Sequence, residues 1–250
     1  MSKQKKLIVC DVEGTIFKAN YQIDGVDYAS TMWQPLAHAL GKEGVSTEQE
    51  LAKKWEKGEF EYYLDWVDAT FEMHKKLGLE KTVFKRLVNN AEYVDGVKEF
   101  FANLDRDQYI PVLISGGFQE LVDRAMKELN IDYGIGACSY IFNNKGKLSA
   151  RTLFPSDFTG KSDYVEMHIK QFGLNLFSDW VFIGDGKNDK YIAEIAPIAF
   201  AINGHEELKG IDGINKVNNF FEVNELVNKL TDKDYKEKFK NRYKKSDELY

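Results

Sequence analysis

Three short polar segments of this 250-residue chain each follow an apolar run, and their residue types suit phosphate chemistry. Asp11-Val12-Glu13-Gly14-Thr15 comes after Leu7 to Cys10, Ser115-Gly116-Gly117 after Val112 to Ile114, and Gly184-Asp185-Gly186-Lys187-Asn188-Asp189 after Trp180 to Ile183. Taken singly, an acidic residue after a strand is a common turn former or helix cap, and Ser-Gly-Gly is an ordinary loop. Taken together they supply the parts of one site. Asp11 and Asp185 are hard oxygen donors of the kind Mg²⁺ uses, one or two carboxylates with water and phosphate completing an octahedron. Ser115 offers a hydroxyl and the N–H groups that follow it to an anion, and Gly116 and Gly117 let the backbone approach closely. Lys161, behind Gly160 at the start of an expected helix, adds a compact positive charge for the oxygens of a transferring group.

The elements that must position these residues are readable from hydrophobic pattern. The three apolar runs and a fourth, Ile198 to Ile202, lack the alternation of a half-exposed strand and are separated by helical patterns. That is how a parallel sheet covered on both faces looks in sequence. The fold class expected is α/β, a Rossmann-like parallel sheet core, and ligands of such sheets bind beyond the strands' carboxyl ends, where the three polar segments lie. Pro111 is expected as the first residue of its strand, where a missing N–H does no harm. Helices fit at roughly Gln119–Leu129, Ser162–Phe172, Asp189–Ile195 and Val223–Leu230.

Residues 19–92 show no convincing strand and several helical signatures. Ser46 with Gln49, and Thr47 with Glu50, have capping-box spacing and would open a helix ending near Gly58. Phe60, Tyr63, Leu64, Val67, Phe71 and His74 form one face of a second helix that stops at Gly78, and a third runs from about Lys81 to Ala91. The reading is a small helical cap, 19–92, inserted into a discontinuous core of 1–18 and 93–230. Ser139 to Phe142 and Lys147 to Thr152, around Asn143-Asn144-Lys145-Gly146, should pair as a hairpin. Residues 231–250 read as a charged C-terminal tail.

Composition narrows the function classes. The formal charge of −6 opposes sequence-independent attraction to phosphate backbones, so nucleic acid is not an expected partner. No apolar run approaches the ~20 residues of a membrane span, and the one after Lys6 meets Asp11 too early for a signal peptide, so a cytoplasmic protein without membrane contact is expected. Two cysteines, Cys10 and Cys138, make no disulfide framework and read as reduced core thiols. His38, His74, His168 and His205 have no metal-ligand spacing and read as structural or solvated.

With these residues in place, the chain resembles a haloacid dehalogenase superfamily phosphatase of the phosphoserine phosphatase-like branch, over residues from about 6 to 230. The family's motifs stand in order as Asp11-x-Glu13-Gly14-Thr15, Ser115-Gly116-Gly117-Phe118, Lys161 and Gly184-Asp185-Gly186-x-Asn188-Asp189. The resemblance implies an Asp11 nucleophile that forms an aspartyl-phosphate, a mode of covalent catalysis open to carboxylates. It implies Mg²⁺ held by the Asp11 side chain, the Glu13 backbone carbonyl and Asp185. Asp189 would lie just outside the metal or brace Lys161, and Ser115, Gly116, Lys161 and Asn188 would bind phosphate. The substrate would be a small soluble phosphate ester.

The chain departs from the family pattern at two places. Glu13 stands where most relatives have Asp as the general acid/base; a glutamic acid has a similar reference pKa and can do the same work with a longer reach. Hydrolysis is the reading, with transfer to a small alcohol and a non-catalytic module that binds a phosphorylated metabolite as alternatives. The second departure concerns the amino-acid grip of phosphoserine phosphatases. Asn20 replaces their cap glutamate, and 21–81 contains no arginine, leaving Arg86, Arg151 or a cap lysine to meet a carboxylate. The cap aromatics Trp55, Phe60, Tyr62, Tyr63, Trp66 and Phe71 read mostly as cap core, with a few available as an apolar wall over the substrate.

Overall fold

The computed structural model describes residues 5–23, 25–28, 30–231 and 233–235. In chain order its strands and helices are β1 (Lys6–Cys10), β2 (Tyr21–Ile23), β3 (Val26–Tyr28), α1 (Trp33–Ala39), α2 (Gly41–Glu56), α3 (Tyr63–Lys76), α4 (Lys81–Asn90) and α5 (Val97–Asn103). There follow β4 (Tyr109–Phe118), α6 (Gln119–Leu129), β5 (Tyr133–Phe142), β6 (Leu148–Leu153), α7 (Thr159–Phe172) and β7 (Trp180–Gly184). A 3-10 turn at Lys187–Asp189 leads into α8 (Lys190–Ile195), then β8 (Ile198–Ile202), α9 (Glu206–Lys209), β9 (Asn215–Val217) and α10 (Phe220–Lys229).

Seven strands form one sheet in the order β6-β5-β4-β1-β7-β8-β9, parallel except for the β5–β6 hairpin at its edge. The α/β expectation holds, and its physical basis is visible in β1, β4, β7 and β8, where every residue is buried. Alternate residues feed two separate cores. Leu7, Val9, Val112, Ile114, Trp180 and Phe182 pack with α7 and α8 on one face. Ile8, Cys10, Leu113, Val181 and Ile183 pack on the other with α6, α10 and the rings of α1, α3 and α4, as the two-residue period of a strand requires. Cys10 thus turns away from the strand end into the core, as expected, and burial followed by the neighbouring Asp11 charge holds its thiol well above the usual range.

Three local expectations are corrected. Pro111 lies inside β4 rather than at its start, opposite Ile8. Successive residues of a parallel strand bond to alternate neighbours, and Lys6 N–H donates to the Gln108 carbonyl, so the Pro111 position faces the β5 side. There β5 pairs only from Val112 onward, and no ladder bond is lost. Ser46 and Thr47 do not open a helix: α2 begins five residues earlier at Gly41, and the Ser46 hydroxyl bonds back to the Glu43 carbonyl from within it. The stretch 19–92 does contain strands, the short antiparallel pair β2–β3. The cap-stretch helices α3 and α4 and the 139–152 hairpin lie close to their expected spans.

The corner between α3 and α4 is stitched to that hairpin. Leu148 N–H donates to Leu79 O at 2.9 Å, Lys81 N–H to Gly146 O at 2.8 Å, and Lys147 Nζ reaches both Gly78 O and Glu80 Oε1. Higher up α3, His74 Nδ1 meets the Tyr140 hydroxyl at 2.8 Å, and Asp68 pairs with Arg151. Among the described residues no helix is long and apolar enough to cross a membrane. Of the 231–250 tail, only Thr231 and 233–235 are described, Tyr235 being buried with Lys6 Nζ over its ring; the rest lies outside the described residues.

Candidate active site

The polar segments meet at the carboxyl ends of β1, β4 and β7. Asp11 extends the parallel ladder by one residue, its N–H donating to Ile183 O at 2.9 Å, which sets its carboxylate beside the end of β7. The chain then turns sharply: Ile16 and Phe17 N–H both bond to Val12 O, and Gly14 takes φ 96°. That left-handed conformation favours glycine, and a Cβ here would also collide with the Asp185 carboxylate. The turn brings the Thr15 hydroxyl to Asp185 Oδ1 at 2.8 Å.

Lys161 is the centre of the charge arrangement. Its side chain is fully buried, with Nζ 2.6 Å from Asp11 Oδ1, 2.5 Å from Asp189 Oδ1 and 3.7 Å from Asp157 Oδ1. Gly160 makes this possible, since a side chain there would run into the Pro155 carbonyl under the first turn of α7. Asp189 uses its other oxygen, Oδ2, to accept from the N–H groups of Asp185 and Gly186 at 3.0 and 2.9 Å, fixing the loop after β7. Asn188 Nδ2 donates to Asp157 Oδ1 at 2.6 Å.

Crowding of buried carboxylates shifts their titration. Burial pushes Asp11 well above the usual carboxylate range against the pull of the Lys161 ammonium, and Asp189 and Asp185 add to the push. Burial and the Asp189 charge raise Asp185 to about 7. Burial acts to lower Lys161, but Asp11, Asp189 and Asp157 outweigh it and hold the ammonium well above its ordinary value. The site holds more negative charge than one lysine balances.

Glu13 is clamped by one oxygen. Its Oε1 accepts from the Tyr21 hydroxyl at 2.7 Å and from Met32 N–H at 2.8 Å, while Oε2 lies against Gly117, where a Cβ would sit 2.6 Å from it. Burial raises its carboxyl, partly offset by these two bonds. At the end of β4 the ladder to β5 shifts register between Ser115 and Phe118. There the Ser115 hydroxyl accepts from Gly117 N–H at 3.0 Å, its carbonyl accepts from Ser156, and the Gly116 carbonyl accepts from the Tyr63 hydroxyl at 2.6 Å.

Asp11, Glu13, Ser115, Gly116, Asp185 and Asn188 all line one cavity of about 250 Å³, with Lys161 and Asp189 in direct contact beneath it. The fold brings together the motif residues Asp11, Glu13, Ser115, Gly116, Lys161, Asp185, Asn188 and Asp189. It also adds residues that sequence reading missed: Asp157, Tyr21, Trp33 and Thr31. Asp157 had a signal, its four-residue spacing before Lys161 across a helix start; Tyr21 and Trp33 had none. Of the cap aromatics, Trp55, Tyr63 and Trp66 line the cavity, whereas Phe71 is core and Tyr62 is exposed. Among the described residues lining it there is neither Lys nor Arg. Arg151 is committed to Asp68 and stacks on Phe71, and Arg86 is exposed on α4.

Residues 5–194 match the model of the haloacid dehalogenase-like hydrolases. A phosphoserine phosphatase of Archaeoglobus fulgidus is 30% identical over 224 residues, 87% of this chain and 58% of that protein; the chain thus spans little more than half the length of this relative. A phosphoserine phosphatase of Lactococcus lactis is 30% identical over 162 residues, 63% of this chain and 72% of that protein. A solved phospho-aspartyl intermediate analogue of phosphoserine phosphatase superposes with a TM-score of 0.71 at 21% identity, covering 90% of this chain and 99% of that one, which speaks to the fold.

Proposed function

The chain belongs to the haloacid dehalogenase-like hydrolase family, and from that premise we propose that it is a Mg²⁺-dependent phosphomonoesterase acting on a small phosphate ester, with Asp11 as nucleophile. The observation that carries the reading is the shared ammonium: one buried lysine bonds both Asp11 and Asp189 at the base of a cavity whose rim offers the Ser115 hydroxyl and the Ser115–Gly117 backbone. Residues 19–92 serve as the cap in this reading, and 1–18 with 93–230 as the core.

The donor set suits Mg²⁺. Asp11, Asp185 and Asp189 bring carboxylate oxygens within 4.8 Å of one another, without sulfur or imidazole. Both Asp189 oxygens are already engaged, so Asp11 and Asp185 would hold the ion with the Glu13 backbone carbonyl, and Asp189 would brace Lys161 and the loop. Such an ion supplies positive charge beside the phosphoryl oxygens and offsets the excess of carboxylates.

The chain's own groups divide the remaining work. The Asp11 carboxylate attacks phosphorus, the phosphoryl group passes to it, and the ester oxygen leaves with a proton from Glu13. Glu13, now a carboxylate, takes a proton from water, whose oxygen attacks the aspartyl-phosphate and frees Asp11. Clamping Oε1 leaves Oε2 as the oxygen that exchanges the proton. The Lys161 ammonium, the Ser115 hydroxyl and the loop N–H groups stabilise charge on the transferring oxygens.

The relatives' names make L-phosphoserine a candidate substrate. The test is to trap the intermediate: with a ³²P-labelled ester, wild-type protein should give an acid-stable, hydroxylamine-sensitive label that Asp11→Asn lacks. Persistence of the label in Asp11→Asn would overturn the assignment. No turnover of p-nitrophenyl phosphate with Mg²⁺ would favour a binding module instead.

A further inference from the structure

The wall facing the carboxylates is built from four aromatic rings. Trp33 opens α1, Trp55 lies in the last turn of α2, and Tyr63 and Trp66 lie in the first turn of α3; all four line the cavity. They meet as a box rather than a stack. Trp33 and Trp66 are 5.2 Å apart at 70°, Trp55 and Tyr63 are 5.8 Å apart at 72°, and Tyr63 joins the two pairs through Trp66 at 5.5 Å. The Tyr63–Trp66 pair is tilted by 32°, and Trp33 also packs on Phe118 at 4.2 Å, so the more open rings of the wall are the half-buried Trp55 and Tyr63.

The box is fixed to the phosphate loop. Tyr63 donates to the Gly116 carbonyl at 2.6 Å, while Phe158, with the unusual φ of 49°, packs against Trp55 and Tyr63 at 5.8 Å. A ligand that places its phosphate on Ser115 and Gly116 therefore reaches the rings through only a short linker. The charged side chains in the lining itself are all acidic. Glu13, Asp157 and Asp185 line the same cavity, and no described Lys or Arg does. An anionic head group would find no cationic side chain in the lining to pair with. A diffuse cation would find ring faces whose quadrupoles attract it, the recognition used for quaternary ammonium groups.

Resting on the phosphatase reading of this site, we propose that the preferred ester carries a quaternary ammonium head a few bonds from the ester oxygen, a choline-type phosphate monoester. Hydrolysis then breaks the bond from phosphorus to the ester oxygen, the ammonium alcohol leaves with a proton, and the oxygen of water ends on phosphate. The cation stays in the aromatic box until the alcohol departs.

The experiment compares phosphocholine with its uncharged carbon isostere, 3,3-dimethylbutyl phosphate, with L-phosphoserine, and with p-nitrophenyl phosphate as the reference for turnover. Phosphocholine should exceed the isostere in kcat/KM by about 10-fold or more, the gain expected from a desolvated cation against several rings, and should exceed L-phosphoserine as well. In Trp55→Leu, a half-buried position, the ratio of phosphocholine to isostere should fall toward one whatever happens to the absolute rates. Independently of catalysis, choline should quench intrinsic tryptophan fluorescence saturably where 3,3-dimethylbutanol does not. Turnover of p-nitrophenyl phosphate with a phosphocholine-to-isostere ratio within about 3-fold of one would overturn the aromatic-box assignment and leave the phosphatase reading standing. No turnover of any ester, with selective quenching by choline, would overturn the phosphatase reading and leave the box.

Discussion

Replacing Lys161 by methionine removes a charge while keeping a similar length of side chain, and the structure sets the size of the consequence. The ammonium is fully buried and lies 2.5, 2.6 and 3.7 Å from three carboxylates that are themselves nearly inaccessible. Removing one member of a buried charge set costs about 3–5 kcal/mol, because the partners are left without compensation. A chain of this size shifts its Tm by roughly 2–4 °C per kcal/mol, so Lys161→Met should melt about 6–20 °C below wild type at neutral pH. The deficit has a defined pH dependence. Without the ammonium, the Asp11 and Asp157 carboxylates, which burial already raises, ionise still less readily in the fold than in the unfolded chain, so the native state binds more protons and stability falls as pH rises. The gap to wild type should thus be widest at neutral pH and above, and should narrow as pH falls toward 5. Added Mg²⁺ should raise the Tm of the variant by more than that of wild type. Differential scanning fluorimetry across pH, with EDTA or Mg²⁺, reads all three effects. A variant that melts within about 2 °C of wild type at neutral pH, with no larger response to Mg²⁺, would refute the view that Lys161 holds the carboxylates together.

Other outcomes follow from individual contacts. Glu13→Gln should lower turnover of an alkyl phosphate by about 10² to 10⁴, yet impair phosphoenzyme formation from p-nitrophenyl phosphate less, because nitrophenolate leaves without a proton; equal impairment in a stopped-flow comparison would count against Glu13 as the acid. Tyr21→Phe removes one of two donors to Glu13 Oε1, and should reduce kcat about 10-fold with KM little changed, since a hydrogen bond to a charged group contributes roughly 1.5–3 kcal/mol; a pure KM effect would show that Tyr21 touches substrate instead. His74 is buried and held down to about 3 by burial. It is neutral in the fold and charged in the unfolded chain below about pH 6.5, so the unfolded state binds the extra proton and stability is lost as pH falls, about 2 kcal/mol by pH 5. Urea titrations of His74→Gln should lack that component, and an unchanged pH slope would contradict it.

The legible parts of the fold were those where side chains alone carry the signal. The apolar runs of β1, β7 and β8 and the periodicity of α6 left little choice, and the loops just beyond the strands carry their chemistry in consecutive residues. Where contacts between distant segments decide, the pattern is silent. The first half of β5 reads Tyr-Gly-Ile-Gly, a weak strand, because α6 packs too close for side chains: a Cβ on Gly134 would sit 2.7 Å from Val122, and one on Gly136 2.6 Å from the Gln119 backbone. The capping-box spacing at Ser46 and Thr47 is satisfied by residue type but lies inside a helix that tertiary packing extends to Gly41. The three-residue strands β2, β3 and β9 are too short to show a period. In the site, Asp11, Ser115 and Asp185 stand at strand ends and could be read in order, whereas Tyr21 reaches Glu13, and Trp33 the cavity, only through the folding of 21–33 back over Glu13.

The stitching of the α3–α4 corner to the β5–β6 hairpin ties the helix that carries Tyr63 and Trp66 to the edge of the sheet. Backbone bonds at Leu79 and Lys81, with the His74–Tyr140 and Asp68–Arg151 contacts above them, tie most of the length of α3 to the sheet edge. The first turn of α3, with Tyr63 and Trp66, lies within about one turn of the Asp68–Arg151 pair, and α2 packs alongside it. There the Tyr63 hydroxyl bonds the Gly116 carbonyl, and Trp55 and Tyr63 pack on Phe158, so this end too is fastened to the segments that line the cavity. In the phosphatase reading, the Ser115–Gly117 segment that would hold phosphate is therefore also the one to which the first turn of α3 is fastened.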